Sequence, residues 1–380
     1  MEKKSIFNEL TGIRAIAAYM VFFHHYVFFI KDKINVFTFN FLSELHIGVT
    51  LFFVLSGFLI AYRYYDNVKI RDNKWIVKYI QNRVARVYPM YFILTCVAFF
   101  FIFSYSENLK RDVGIFFLNI TFLRGFFYEF LFTGVQQGWS LTVEECFYFS
   151  APIIFIFTKH RKILIPIISI FLLGIIGWLV FKNFYFYGLF SPLRFTLLYT
   201  FFGRVFEFFI GIVLALTYRK SATFLFFKNK YLWKTLLGSL GIVATIILLG
   251  MVKGDVKYGL WTSWGIVLNN WILPCFIALF YAGLITENSW LKKILATKLL
   301  VLLGKSSYSF YLLHYGVFYM LISKYISKDI IVLFVLINLL SIAFFYLVEE
   351  PLNNKIRKMN WYDFLSRKKK VFLKNKISTN

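Results

Sequence analysis

Apolar residues in this chain come in long unbroken runs, separated by short polar stretches rich in Lys, Arg, Asn and Asp. Runs of about 17–26 residues are long enough, as helices, to cross a hydrocarbon layer. Ten fit that description: 10–30, 46–63, 88–104, 140–157, 163–181, 201–218, 235–251, 260–285, 300–322 and 329–348. The pattern predicts an all-α polytopic membrane protein with about ten transmembrane helices. Two further stretches, 113–132 and 183–200, are apolar but carry charge together with Gly or Pro. They are expected as re-entrant or interfacial elements buried against protein; counting both as crossings gives twelve spans.

The connecting segments fix an expected orientation. With the first residue inside, the segments 1–9, 63–87, 158–163, 218–234, 286–299 and 349–380 hold 29 of the 43 Lys and Arg residues. The positive-inside rule then places both termini in the cytoplasm, as in a bacterial-type cytoplasmic membrane. Residues 64–87 read as a basic helix on the cytoplasmic face, with Pro89 suited to the first turn of the next span. The chain divides into a membrane domain, 1–352, and a basic cytoplasmic tail, 353–380. The tail, with its RKKKVFLKNK run, is expected to be loosely ordered against anionic lipid.

Composition narrows the classes. The chain is 59% hydrophobic, with 50 Phe and 25 Tyr among 380 residues, well above the 45–50% apolar content typical of soluble domains. The net charge of +25 is concentrated in loops and tail, so lipid, not nucleic acid, is the expected partner. The first apolar run lacks a cleavage site and is expected to remain as a helix. Cys96, Cys146 and Cys275 all sit in apolar runs without metal-ligand spacing. They read as core residues, and no metal is implied.

Ionisable residues inside the runs are costly and point to function. Arg14 and His25 share the first run. Eleven residues of α-helix leave them about 20° apart on one face and about 16 Å apart along the axis. Glu144 and Glu145 lie early in the fourth run, and Arg83 and Arg86 at the start of the third. Arg204 and Glu207 read as an intrahelical ion pair. Ser307, Tyr311 and His314 make a polar stripe at helical spacing, suited either to chemistry or to hydrogen bonding between helices. Counting along the runs separates two layers: arginines towards the cytoplasm, and His25 with Glu144, Glu145 and His314 in the outer half. Arginines suit phosphates, and an imidazole near a carboxylate suits general base work. A long thin donor with a phosphate head, such as acyl-CoA, matches both layers. No GxxxxGK[ST] loop is present for ATP.

Seven motifs in order resemble the acyltransferase-3 family of integral membrane acyltransferases. They are LTGIR (10–14) with His25 eleven residues on, GVTLFFVLSGF (48–58), RVARVYPMY (83–91), WSLTVEECFY (139–148), Arg204 with Glu207 and Gly211, GKSSYSFYLLH (304–314) and Glu349-Glu350-Pro351. The resemblance covers residues 8–352. It implies ten transmembrane helices, an acyl-CoA donor, usually acetyl-CoA, and a hydroxyl acceptor on a glycan or small molecule. It also maps the family's Arg-to-His signature onto Arg14 and His25. Three departures stand out. Thr50 replaces an Asp common in relatives, and Glu350 replaces a cation in the E-[RK]-P motif. The extracytoplasmic hydrolase-like domain of many members is not found after the last span, so transfer is expected to finish in the membrane domain or on a separate partner.

The expected mechanism is O-acyl transfer to a cell-surface carbohydrate or lipid-linked sugar. Arg14, Arg83 and Arg86 hold the CoA phosphates, His25 deprotonates the acceptor hydroxyl, and Glu144 or Glu145 orients His25. A covalent acyl-histidine, or acyl-serine at Ser56, is the variant mechanism. The alternatives are acylation of a small molecule or lipid headgroup, and a transporter or flippase for glycan or lipid.

Overall fold

The computed structural model describes residues 7–184, 186–220 and 232–366; the expected tail run from 367 onward lies outside the described residues. The structure is almost entirely helical, and no strand forms among the described residues. Nine helices there are long and apolar enough to cross a membrane. The main helices are α1 (Asn8–Tyr26), α2 (Gly48–Tyr64), α3 (Asn73–Ser104), α4 (Trp139–Lys159), α5 (Leu164–Phe181), α6 (Phe201–Arg219), α7 (Trp233–Val252), α8 (Leu273–Thr286), α9 (Ser307–Leu313), α10 (Ile330–Phe344) and α11 (Glu350–Lys358). Leu172, Ile176 and Leu179 on α5 and Leu236 and Leu240 on α7 are exposed, an apolar belt of the kind lipid covers.

The core forms where helices come closest. α2 and α6 make the most extensive helix pair. Its closeness depends on two glycines facing opposite backbones. A methyl group on Gly57 would lie 2.2 Å from the Phe208 carbonyl oxygen, and one on Gly211 would lie 2.1 Å from that of Val54. Small residues at such crossings let apolar helices gain dispersion energy where lipid gives no hydrophobic drive. α1 packs beside α2 and α9, which brings the first helix and the SYSFYLLH stretch together.

Three elements differ from the sequence-based expectation. The ninth run is not one helix: it breaks into Lys298–Lys305, α9 and Val317–Tyr325. Ser306 and Ser307 turn their hydroxyls back to the carbonyls of Leu302, Leu303 and Gly304, which competes with helix continuation. Gly316 then takes a positive φ of 79°, a conformation that favours glycine. The break is tolerable because residues 306–314 are all buried in protein. α3, by contrast, starts at Asn73 behind an Asp72 cap and runs straight through Pro89 for 32 residues. At about 1.5 Å per residue that is roughly 48 Å, well beyond the hydrocarbon thickness, so its first turns stand outside it. The N-cap hydrogen bonds from Lys74 and Trp75 to Asp72 decide the start, and the proline is absorbed mid-helix. Finally, α11 crosses the expected boundary at 352/353 and docks on α3. Gln81 Nε2 donates to the carbonyls of Ile356 and Met359, and Lys78 Nζ to that of Arg357. The tail up to Lys358 is therefore ordered.

Neither 113–132 nor 183–200 forms a helix long enough to cross. The first yields a 12-residue helix, Leu109–Ile120, and a short turn, Leu123–Phe126; the second contributes Leu193–Tyr199 before α6. The fully buried Arg124 fastens the first stretch by donating to the carbonyls of Thr133 and Val135.

Candidate active site

A cavity of about 390 Å³ opens between α1, α2, α3, α4 and α9. Its walls hold Arg14, Arg83 and Arg86, which the sequence grouped, and also Arg63 and Arg357, which it did not. α1 is one continuous helix, so Arg14 and His25 do lie on one face. Arg83 and Arg86 sit three residues apart on α3 and reach the same space.

The three expected cations are not equivalent. Arg86 Nη1 forms a 2.7 Å ion pair with Glu349, which also accepts from Ser309 Oγ at 2.8 Å. Glu349 is 2% exposed, so this pair ties α3, α9 and the last helix together at the cavity wall. Arg83 donates Nη2 to Tyr64 Oη at 3.1 Å and lies over the rings of Tyr64 and Tyr148. Arg14 Nε donates to Ser307 Oγ at 3.4 Å. Among the described residues, neither Arg14 nor Arg83 has an acidic ion-pair partner. Their charge is available to an anion, whereas that of Arg86 is already offset.

Glu144 lies with the arginines. It lines the arginine cavity and accepts hydrogen bonds from Ser56 Oγ and Tyr148 Oη; it makes no hydrogen bond to His25. Glu145 is buried beside it, with Glu144 and Arg83 the charges acting on it, and does not line the cavity. Ser140, four residues before Glu144 on α4, meets Tyr311, which lies between the Arg14 and His25 ends of the α9 stripe. Glu144 therefore belongs with the arginines.

His25 lies beyond that cavity, in a cluster of rings. Its ring stacks on Tyr315 at 4.4 Å and lies 4.9 Å from His24 and 5.3 Å from His314. His24 donates Nδ1 to the Ser43 carbonyl at 2.6 Å, and His46 pairs with Glu44 at 2.9 Å. The polar stripe of α9 runs alongside α1. Ser307 meets Arg14 at one end, His314 meets His25 at the other, and Tyr311 lies between, held by Ser140 Oγ at 2.8 Å. Tyr311 and Ser140 line the cavity, whereas His25 and His314 do not. The Tyr311–Ser140 pair thus stands at the limit of the basic cavity on the histidine side.

Thr50 makes no hydrogen bond to His25. It sits in a second buried network with the Arg204–Glu207 pair (2.8 Å) and Asn269, donating to Glu207 and Asn269 and accepting from Arg204. The i, i+3 ion pair expected from the sequence is formed. Arg63, Arg357 and Tyr308 were missed as cavity residues, and Glu349 as the partner of Arg86. Arg357 was hidden in a basic run that resembled a lipid-facing tail, and Glu349 carried a signal only as part of Glu-Glu-Pro.

The fold and site define an integral helical protein with a basic internal cavity and a histidine cluster at opposite ends of one helix face. The family model for an acyltransferase domain matches residues 7–350, and the chain belongs to this acyltransferase-3 family. O-acetyltransferase OatA of Staphylococcus aureus (strain MRSA252) is 26% identical over 398 residues, covering 96% of this chain and 59% of that protein. A putative O-acetyltransferase of S. aureus (strain COL) is 27% identical over 391 residues, covering 93% of this chain and 58% of that one. The chain spans about three-fifths of the length of these curated relatives. No solved structure matches it.

Proposed function

We propose that this chain is a membrane-embedded O-acetyltransferase that moves an acetyl group from acetyl-CoA to a hydroxyl of a cell-surface carbohydrate. The observation that carries this reading is the single face of α1, which presents Arg14 to the basic cavity and His25 to the histidine cluster about 16 Å away. Family membership over residues 7–350 supports the reaction class, and relatives named O-acetyltransferases support the group transferred.

In this reading the donor enters from the cytoplasmic side. Arg14 and Arg83 take its phosphates through charge-assisted hydrogen bonds. Arg86, held by Glu349, shapes the wall. The pantetheine arm lies along the α1 face, past Tyr311, and delivers the thioester to His25. The acceptor hydroxyl gives its proton to His25 while its oxygen attacks the thioester carbonyl. The carbon–sulfur bond breaks, and the CoA thiolate takes the proton back from the imidazole. General base work of this kind contributes about 10²–10⁴-fold. Glu144 holds Ser56 and Tyr148 and counters part of the arginine charge.

The test is surface-carbohydrate O-acetylation, measured by mass spectrometry in cells expressing the wild type or His25→Ala at equal membrane levels. The reading predicts acetyl ester with the wild type and at least a hundredfold less with the variant. Equal ester in both would refute His25 as the base. A wild type that moves glycan without consuming acetyl-CoA would be a transporter.

A further inference from the structure

With Glu144 in the arginine cavity, His25 has no carboxylate partner, and neither of its ring nitrogens is hydrogen-bonded among the described residues. A base that becomes an imidazolium inside protein needs an acceptor for the N–H on its other nitrogen, the one that does not carry the transferred proton. His314 offers one. It is fully buried, at 0% exposed. Its Nδ1 lies 2.8 Å from the Tyr311 carbonyl. A carbonyl only accepts, so Nδ1 carries the hydrogen and the neutral ring keeps its lone pair on Nε2. That Nε2 is buried with no hydrogen-bond partner. An orphaned buried acceptor costs about 1–3 kcal/mol in general, and such costs cluster at functional positions.

The surroundings fix where this lone pair is held. Phe310 stacks parallel to the His314 ring, at 6.0 Å and 6°. Tyr26 Oη donates to the His314 carbonyl at 2.7 Å, which fixes the backbone where the helix breaks before Gly316. The two imidazole centres are 5.3 Å apart. Ring nitrogens turned toward each other across this spacing stand about 3 Å apart, within hydrogen-bond distance. His24, 4.9 Å from His25, also commits Nδ1 to a carbonyl, that of Ser43, but among the described residues His314 Nε2 is the one histidine nitrogen that is buried with no partner, and the acid in the cluster, Glu44, is committed to His46 and the Gly259 amide.

From this geometry we infer that His314 is the positioning partner of His25: its Nε2 accepts the His25 N–H while His25 holds the acceptor's proton. The chain His25–His314–Tyr311 carbonyl does the work that a carboxylate does beside other catalytic histidines. His314 gains no net proton and breaks no bond; the proton passes from acceptor to His25 to CoA thiolate. This inference rests on the acetyl-transfer reading above.

The experiment uses the full chain in lipid nanodiscs, with acetyl-CoA and surface glycan from cells lacking the protein, stripped of its acetyl esters. CoA thiol release gives kcat and KM, and a separate titration gives acetyl-CoA Kd. His314→Phe keeps the ring packing and removes the lone pair. It should lower kcat about tenfold to a hundredfold, a part of the whole general-base contribution, with acetyl-CoA Kd within twofold of wild type. His314→Gln restores an acceptor oxygen and should recover several-fold over His314→Phe. A kcat for His314→Phe within twofold of wild type overturns the inference, and so does a Gln variant no better than Phe. No thiol release by the wild type overturns the acetyl-transfer reading, and this inference with it.

Discussion

The arginine cavity ranks its own residues. Among the described residues Arg14 and Arg83 lack acidic ion-pair partners, whereas Arg86 is paired with the buried Glu349 at 2.7 Å. A hydrogen bond between a charged side chain and phosphate is worth about 1.5–3 kcal/mol net. Arg14→Ala and Arg83→Ala should therefore each weaken acetyl-CoA binding by about 10–150-fold. Arg86 cannot give its full charge to a ligand while Glu349 holds it, so Arg86→Ala should cost less than about tenfold in affinity. Its cost falls elsewhere, because it strands the Glu349 carboxylate, 2% exposed, with Ser309 as its remaining donor. Breaking a buried pair in this way costs about 3–5 kcal/mol; Arg86 is partly open to the cavity, so the lower end applies. Titrating acetyl-CoA into each variant in nanodiscs, alongside thermal unfolding, reads both quantities. The reasoning fails if Arg86→Ala loses more donor affinity than Arg14→Ala and Arg83→Ala while melting like the wild type.

Other outcomes follow from particular contacts. Glu144→Gln should leave acetyl-CoA affinity unchanged or tighter and lower kcat by less than about tenfold; a loss as large as that of His25→Ala, within the 10²–10⁴ range of general base catalysis, would return Glu144 to the histidine. Gly211→Ala drives a methyl into the Val54 carbonyl and should cost about 1–3 kcal/mol as overpacking, read as a lower melting midpoint; an unchanged midpoint would mean that α2 and α6 are not this close. Gln81→Ala removes two hydrogen bonds to α11 and should speed amide exchange at 350–359 without changing it in α1, whereas equal exchange would show that α11 is held by other contacts.

The helical class and the polar residues within it were legible because both are local signals. Run length reports a span, and a charge inside a run reports its cost. The Arg14–His25 face needed only helical periodicity. Arg83 and Arg86 were found because their spacing puts them on one side of one helix. What failed were statements about relations between helices. Glu144 was placed with His25 by counting along separate runs, whereas its contacts are Ser56 and Tyr148 in the arginine cavity. The ninth run was read as one helix because its residues are apolar. Its break depends on serine hydroxyls turning back on the backbone and on a positive φ at Gly316, which hydropathy does not register. Arg357 reaches the cavity because α11 docks on α3, a long-range contact invisible in a basic tail. His314 carried a signal in the Ser307–Tyr311–His314 stripe, but its free nitrogen emerges only from the Tyr311 carbonyl.

The central claim is that acetyl passes from a donor in the arginine cavity to a hydroxyl at His25. Purified protein given acetyl-CoA labelled in its acetyl group and de-O-acetylated surface glycan tests it directly. The account predicts one glycan acetyl ester for each CoA thiol released, abolished by His25→Ala at unchanged acetyl-CoA affinity. Thiol release without glycan ester, or ester formation undiminished in His25→Ala, would contradict it.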